Sequence, residues 1–154
     1  MGKIEAVCIS QRRGTPKIPI VEAEFVEGWG IADDAHAGRW HRQVSILAAE
    51  SIENVKKKLP DISQGAFAEN IITSGLDLTG VGVGDTLEIG SGVVLEITQL
   101  GKVCHEECEI QKATGDCIMP KEGVFARVLQ GGTVNPGDPI SITGKADRDR
   151  KDGD

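Results

Sequence analysis

Aromatic residues are scarce in this sequence, and tyrosine is absent. Two Trp and three Phe are the aromatics among 154 residues, so a folded core must consist mainly of Val, Ile, Leu and Ala. Together with 20 glycines, this composition favours short strands joined by tight turns. The length is close to that of one compact domain.

Long apolar runs and excess positive charge are also missing. No stretch approaches the ~20 apolar residues of a membrane-spanning helix, so no membrane segment is predicted. A net charge of -7 and a pI near 5.0 argue against general binding to nucleic acid or anionic membranes. No signal-like apolar run follows Met1, so the four cysteines are expected to stay reduced, which predicts a cytoplasmic location.

Several motifs of nucleotide-binding proteins and hydrolases are absent. The chain has no Walker loop, no Gly-x-Gly-x-x-Gly turn and no Gly-x-Ser-x-Gly elbow. The glycines at positions 80, 82 and 84 have the wrong spacing for a dinucleotide-binding turn. Nucleotide binding is therefore not expected.

The first half of the chain predicts strands, two loops and one helix. Apolar alternation predicts strands over residues 3–10 and 20–26, separated by an exposed, proline-containing loop over 11–19. Residues 27–42 lack any period and predict a long loop. A short strand over 44–47 and a helix over 48–59, stopped by a proline, are expected to follow.

The second half predicts a hairpin and further strands. Residues 86–89 and 93–98 alternate around a glycine-bearing turn, and strands are also predicted over 123–129 and 140–143. Many short strands with one or two short helices indicate a mainly β fold, a twisted β-barrel. We expect a single domain over residues 1–144 and a charged, disordered tail over 145–154.

Cys104 is the strongest candidate for reactive chemistry. It follows the second strand of the hairpin, beside His105 and close to Lys102. A nearby cation or proton acceptor favours the nucleophilic thiolate, whereas Glu106 and Glu107 oppose it. An unreactive thiol in a reducing cell remains the alternative.

A structural zinc site is a second interpretation of the same segment. Cys104, His105, Cys108 and Cys117 could supply four ligands. Adjacent residues seldom bind one ion, however, and no Cys-x-x-Cys knuckle is present, which disfavours zinc. Cys8 lies inside a predicted strand and is expected in the core.

The loop over residues 27–42 contains a second group of candidate site residues. Asp34 could orient a histidine ring such as that of His36, and Arg39 or Arg42 could bind an anion. Solvated loop charges would give the same pattern.

Glu69 and Asn70 form a third candidate site, between apolar neighbours. We predict that both residues bind a cofactor. A buried carboxylate–amide pair more commonly accepts and donates hydrogen bonds that hold a loop together.

Five short motifs together resemble the MOSC domain family, in the expected order and over nearly the whole chain. They are Asp34-Ala35-His36-Ala37-Gly38, Arg42-Gln43-Val44-Ser45-Ile46-Leu47, Gly65-Ala66-Phe67-Ala68-Glu69-Asn70-Ile71, Val83-Gly84-Asp85 and Cys104.

The resemblance implies a β-barrel and a functional cysteine at Cys104. MOSC domains form the C-terminal part of molybdenum cofactor sulfurases and also occur as small stand-alone proteins, which this chain resembles. The family cysteine is thought to carry sulfur as a persulfide or to ligate molybdenum in a pterin cofactor, and both roles suit a thiolate. The sulfurase and reductase branches are expected to have a proline before the cysteine, where this chain has Val103.

Sulfur handling for molybdenum cofactor is the function that this resemblance implies. Cys104 would accept sulfane sulfur with His105 as base, and Cys108 or Cys117 could act as a resolving thiol. A partner cysteine desulfurase or cofactor-biosynthesis protein would supply the sulfur, because pyridoxal phosphate is not expected in this chain. The anionic pterin would bind the remaining candidates: His36, Arg39, Arg42, Lys102, Glu69 and Asn70.

Two other functions stay open. The chain could be a molybdenum-dependent oxidoreductase with Cys104 as metal ligand, or a non-catalytic module that binds the cofactor.

Overall fold

The computed structural model of the protein describes residues 2–12, 15–57, 60–90, 92–101 and 123–146. Within these ranges no helix is long and apolar enough to cross a membrane. The elements, in chain order, are β1 Gly2–Ile9, β2 Ile18–Ile20, β3 Ala23–Val26, β4 Gly30–Ile31, β5 Val44–Ala48, α1 Ala49–Lys56, β6 Ile71–Ser74, a 3-10 turn Leu78–Gly80, β7 Thr86–Ile89, β8 Val93–Leu100, β9 Val124–Gln130, β10 Gly132–Val134 and β11 Pro139–Gly144.

Seven strands form a closed barrel in the order β11-β7-β8-β9-β5-β6-β1. Closure occurs where β1 pairs with β11, at Gly2 opposite Ile140 and Lys3 opposite Pro139. The pairs in this ring are antiparallel except β5 and β6, which are parallel because α1 returns the chain to the same end. The predicted β-barrel with a short helix is therefore confirmed.

Two smaller groups of strands lie outside the ring. β2 extends the sheet beside the later part of β1, with Val7 opposite Ile20. β10, β3 and β4 form a separate three-stranded sheet.

The core is mostly aliphatic, as the composition predicts. Alternate residues of β8, at Val93, Leu95 and Ile97, point into the barrel and are buried, which is the two-residue period of a strand with one face in a core. A second buried cluster packs Ile52 of α1 and Phe67 against the outside of the barrel.

Most predicted strands are confirmed, with shifted ends, but the segment over 20–26 is wrong as one strand. It is divided between β2 and β3, which pair in different sheets, because the chain leaves the barrel at residues 21–22. The loop over 27–42 contains the short strand β4, and β6 and β10 were not predicted. The helix ends at Lys56, and residues 58–59 of its predicted span are outside the described residues.

The first residues of the expected tail contact the barrel. Lys145 Nζ donates to the Gly80 carbonyl at 2.7 Å, and the Ala146 amide donates to Asp85 Oδ1 at 2.7 Å. Asp85 is fully buried and also accepts from the Gly82 amide. Residues 147–154, on which the expectation of disorder mainly rests, lie outside the described residues.

Candidate functional site

A narrow pocket lies where the loop before β5, the turn before β6 and the start of β9 meet. Its cavity volume is about 40 Å³. That is room for about three water molecules, or for one group of phosphate size. The lining residues are His36, Trp40, Arg42, Ser45, Phe67, Ala68 and Phe125.

Arg42 is held in this pocket by aromatic rings. Its guanidinium carbon lies 4.7 Å from the centre of the Trp40 ring and 5.8 Å from that of Phe125. Cation–π attraction at these distances keeps the guanidinium in place while its N–H groups can donate to an anion.

Hydrogen bonds hold the part of the loop that precedes Arg42. Trp40 Nε1 donates to the His36 carbonyl at 2.8 Å. His41 Nε2 and Gln99 Oε1 are 2.8 Å apart, and the Thr98 hydroxyl donates to the His41 carbonyl. These contacts join the loop to the end of β8 and shape one wall of the pocket.

Lys17 lies behind the pocket and is buried. The prediction that residues 11–19 form an exposed loop is therefore wrong at this residue. The residue is 3% exposed, and its Nζ is 2.7 Å from Asp34 Oδ1, 3.0 Å from Ser10 Oγ and 2.9 Å from His36 Nδ1. Burial lowers the pKa of the Lys17 ammonium, and the carboxylate of Asp34 opposes that shift. In this buried ion pair the positive charge of Lys17 and the negative charge of Asp34 neutralise each other.

Asp34 holds the main chain of His36. Its Oδ2 accepts from the His36 amide at 3.2 Å, and its Oδ1 accepts from the Ser10 amide at 3.1 Å as well as from Lys17. Lys17 contacts the imidazole itself, and its role was not predicted from the sequence. A lysine between two prolines in a loop without periodicity carries no signal of burial.

Glu69 holds the turn that forms the floor of the pocket. Its two oxygens accept from the Gly65 amide at 3.0 Å and the Phe67 amide at 2.9 Å. Burial raises the pKa of the Glu69 carboxyl, and the backbone hydrogen bonds only partly offset this. These bonds support Ala68, which lines the pocket in a left-handed conformation (φ 63°) that is uncommon for alanine.

Asn70 joins three segments beneath the pocket. Its Oδ1 accepts from the Ser45 amide at 2.9 Å, and its Nδ2 donates to the Cys8 carbonyl at 3.0 Å. The Ser45 hydroxyl donates to the Ala68 carbonyl at 3.1 Å and accepts from the Asn70 amide. Glu69 and Asn70 have no exposed surface, whereas Ser45 and Ala68 reach the pocket, so the cofactor-binding role of the pair stays a prediction.

The other predicted basic residues are not in the described part of this pocket. Arg39 lines a separate surface depression with Glu27 and Arg127. Lys102 lies outside the described residues. The structure thus brings His36 and Arg42 together and adds Lys17 behind them.

Cys104, His105, Cys108 and Cys117 also lie outside the described residues. The segment that contains them leaves and rejoins the barrel at one point, since the Gly101 amide donates to the Gly123 carbonyl at 2.6 Å. That point is two residues before Phe125, a residue of the pocket. Among the described residues no group of three or more His, Cys, Asp or Glu side chains could hold a metal ion.

Cys8 is confirmed as a core residue. It has no exposed surface, and burial raises the pKa of its thiol to about 12. A thiol with that pKa is not a nucleophile near neutral pH.

The fold and the pocket together define a class of protein. It is a β-barrel domain with a small basic and aromatic pocket, at a junction of loops, that is a candidate anion site. The chain matches the model of the MOSC domain over residues 33–141. It therefore belongs to the MOSC domain family.

Crystal structures of bacterial proteins show the same fold. YuaD from Bacillus subtilis is 22% identical, with a TM-score of 0.77 over 95% of this chain and 98% of its own. YiiM from Geobacillus stearothermophilus is 19% identical (TM-score 0.68; 93% of this chain, 75% of its own), and YiiM from Escherichia coli is 18% identical (TM-score 0.67; 94% and 71%). No curated protein matches the chain.

Proposed function

We propose that this MOSC domain handles sulfur for molybdenum cofactor, with Cys104 as a persulfide carrier. Family membership links the chain to molybdenum cofactor and sulfur handling in general. The observation that carries the specific proposal is the pocket of His36 and Arg42 beside the point where the Cys104 segment joins the barrel. Cys104 follows Gly101 by three residues, so covalent geometry limits the distance between their Cα atoms to about 11 Å.

The residues of the pocket fit part of a pterin cofactor. A cavity of about 40 Å³ matches a phosphate group and is too small for the whole molecule. The guanidinium of Arg42 and the imidazole of His36 would hold the phosphate. Arg39 and Lys102 are proposed to add positive charge around it. When bound, the cofactor supplies a molybdenum centre as the acceptor of sulfur.

Cys104 would receive its sulfur from a persulfide on a partner cysteine desulfurase. The Cys104 thiolate attacks the outer sulfur of the partner's persulfide, and the partner's S–S bond breaks. Cys104 then holds the transferred sulfur as a new persulfide, and the partner leaves as a thiol after it takes up the proton. His105 would accept the proton of the Cys104 thiol before the attack. No net oxidation occurs in this exchange.

Sulfur loading of cysteine variants tests the proposal. The full chain is incubated with a cysteine desulfurase and cysteine, and intact-protein mass spectrometry counts the added sulfur atoms. We expect the C108S/C117S variant to gain one sulfur atom and the C104S/C108S/C117S variant to gain none, because the remaining Cys8 is buried. Loading of C104S/C108S/C117S to the level of C108S/C117S would disprove the carrier role.

A non-catalytic binding module is the second candidate. It is favoured by the pocket itself, in which Arg42 and His36 could bind a phosphate group without any chemistry at Cys104. Thermal stabilisation by the pterin cofactor that persists in Cys104→Ser, without sulfur loading of the wild type, would select this function. Stoichiometric molybdenum in protein from a molybdate-fed host would instead select the oxidoreductase.

A further inference from the structure

The buried ammonium of Lys17 has three partners, and one of them is a ring nitrogen of His36. An ammonium carries three N–H donors and no acceptor. Its partners are Asp34 Oδ1 at 2.7 Å, Ser10 Oγ at 3.0 Å and His36 Nδ1 at 2.9 Å. Because Nζ can only donate, Nδ1 must accept, and a neutral His36 ring then carries its proton on Nε2.

The ion pair with Asp34 keeps Lys17 in the ammonium form. Both side chains have no exposed surface. A neutral amine would leave the Asp34 carboxylate buried without a cation, which is costly. The carboxylate is held in turn by the Ser10 and His36 amides.

A contribution to folding stability does not by itself explain why Lys17 and Asp34 are buried together. The cost of removing two charges from water commonly offsets their attraction, and an apolar pair of similar volume is often as stable. The position of this pair is more informative, since it lies directly behind His36, which lines the pocket together with Arg42.

We propose that Lys17 is a positioning residue that fixes His36 as an Nε2–H donor for a bound oxyanion of phosphate size. This rests on the pocket assigned above and extends it: Arg42 supplies the charge, and His36 supplies a neutral donor of fixed direction. The oxyanion is either free phosphate or the phosphate of a larger ligand, since both present the same oxygen atoms.

Nitrogen-15 NMR of the His36 ring at pH 8 tests the tautomer, since histidine is ordinarily neutral at that pH. In the wild type we expect an unprotonated Nδ1 and a protonated Nε2. In the K17M/D34N variant we expect both tautomers in exchange. A protonated Nδ1 in the wild type, or a spectrum unchanged in the variant, would overturn the proposal.

The double variant is chosen so that the protein can still fold. It removes both buried charges together, and Asn keeps an oxygen acceptor for one of the two backbone amides that Asp34 now holds. Circular dichroism checks its folding, and the wild-type spectrum decides the tautomer even if the variant is unstable.

Phosphate binding gives the functional readout. Inorganic phosphate and glycerol phosphate are titrated separately, and tighter binding of the ester indicates the phosphate of a larger ligand. We expect the affinity to fall at least about twofold in K17M/D34N, because a ring in exchange between two tautomers presents its Nε2–H donor only part of the time. Lys56→Met, which removes a partly exposed lysine from α1, should leave affinity unchanged. No binding by the wild type, or equal affinity in the double variant, would refute the proposal.

These readouts are independent of the sulfur carrier. Cys104→Ser should keep the wild-type tautomer and phosphate affinity. Sulfur loading of C104S/C108S/C117S to the level of C108S/C117S would end the carrier proposal alone, whereas failure of the His36 measurements would end the Lys17 proposal alone.

Discussion

The carboxylate of Glu69 has no exposed surface and accepts hydrogen bonds from two backbone N–H groups. In Glu69→Gln the side-chain NH2 must face one of these N–H groups, so one hydrogen bond is lost. We expect the free energy of unfolding to fall by about 1–3 kcal/mol, measured by urea denaturation. The exposed Glu22→Gln is the control and should change it by less than about 0.5 kcal/mol. Equal effects would contradict the role of Glu69.

The difference in the free energy of unfolding between the wild type and Glu69→Gln should depend on pH. Burial raises the pKa of Glu69 above its unfolded value of about 4.5, so the folded chain binds this proton at higher pH than the unfolded chain. The cost of the buried charge is therefore present at neutral pH and is lost as the pH falls through the raised pKa. The wild type should gain stability relative to Glu69→Gln as the pH falls from 7 to 5, and a constant difference would rule this out.

Single residues differ in how well the sequence predicts them. Cys8 and the Glu69–Asn70 pair lie among apolar neighbours, so their burial could be predicted from local pattern. Lys17 could not, because its ion-pair partner is 17 residues away and its own segment has no period. The chemistry of His36 depends on that distant contact, which only the tertiary structure provides.

At the scale of elements, the turn before β6 depends on Gly65. Its φ is +89°, and a Cβ there would lie 2.0 Å from the Lys17 carbonyl oxygen. We expect Gly65→Ala to lower the free energy of unfolding by about 3 kcal/mol or more, because backbone strain and steric overlap add.

Gly137→Ala is a matched control for this effect. Gly137 has a similar φ of +97° but nothing within 4 Å of the added Cβ, so only the conformational cost of about 1–2 kcal/mol should appear. Thermal or chemical denaturation of both variants separates the two contributions. A loss in Gly65→Ala no larger than in Gly137→Ala would show that the contact with Lys17 does not constrain the turn.

The strands that were not predicted are those whose existence depends on partners. β6 is a four-residue strand that pairs with β5 in parallel and with β1, and no local turn marks it as half of a hairpin. β10 begins at the second of two paired glycines, which indicate a turn. The β7–β8 hairpin was predictable because its strands are neighbours in sequence and alternate clearly.

For the whole molecule, closure of the barrel depends on Ile140. This residue is fully buried and lies opposite Gly2 of β1 and Ile89 of β7, so it joins the two ends of the ring. We expect Ile140→Ala to cost about 2–5 kcal/mol, with all spectroscopic probes of unfolding shifting together. Ile18→Ala, on the 70% exposed side chain of β2, should cost less than about 0.5 kcal/mol. Loss of protection from hydrogen exchange at β1 and β11 alone would contradict cooperative closure.

Composition and turn signals predicted a barrel, but not the order of its strands. Antiparallel hairpins follow from short separations, whereas the parallel β5–β6 pair and the β1–β11 pair join distant segments. The pocket depends on the same distant contacts, since its residues come from the segments before β5 and β6 and from β9.

The pairing of β1 with β11 also has a consequence for synthesis on the ribosome. The roughly 130 residues between these strands take about 7–26 s to translate at typical rates. During that interval the start of β1, at Gly2 and Lys3, lacks its final neighbour. β2 follows within a few residues and already covers Val7–Ile9 on the same edge. The edge of β7 that pairs with β11 is also open during this interval, so the nascent chain exposes two stretches of strand edge to other nascent chains until the barrel closes.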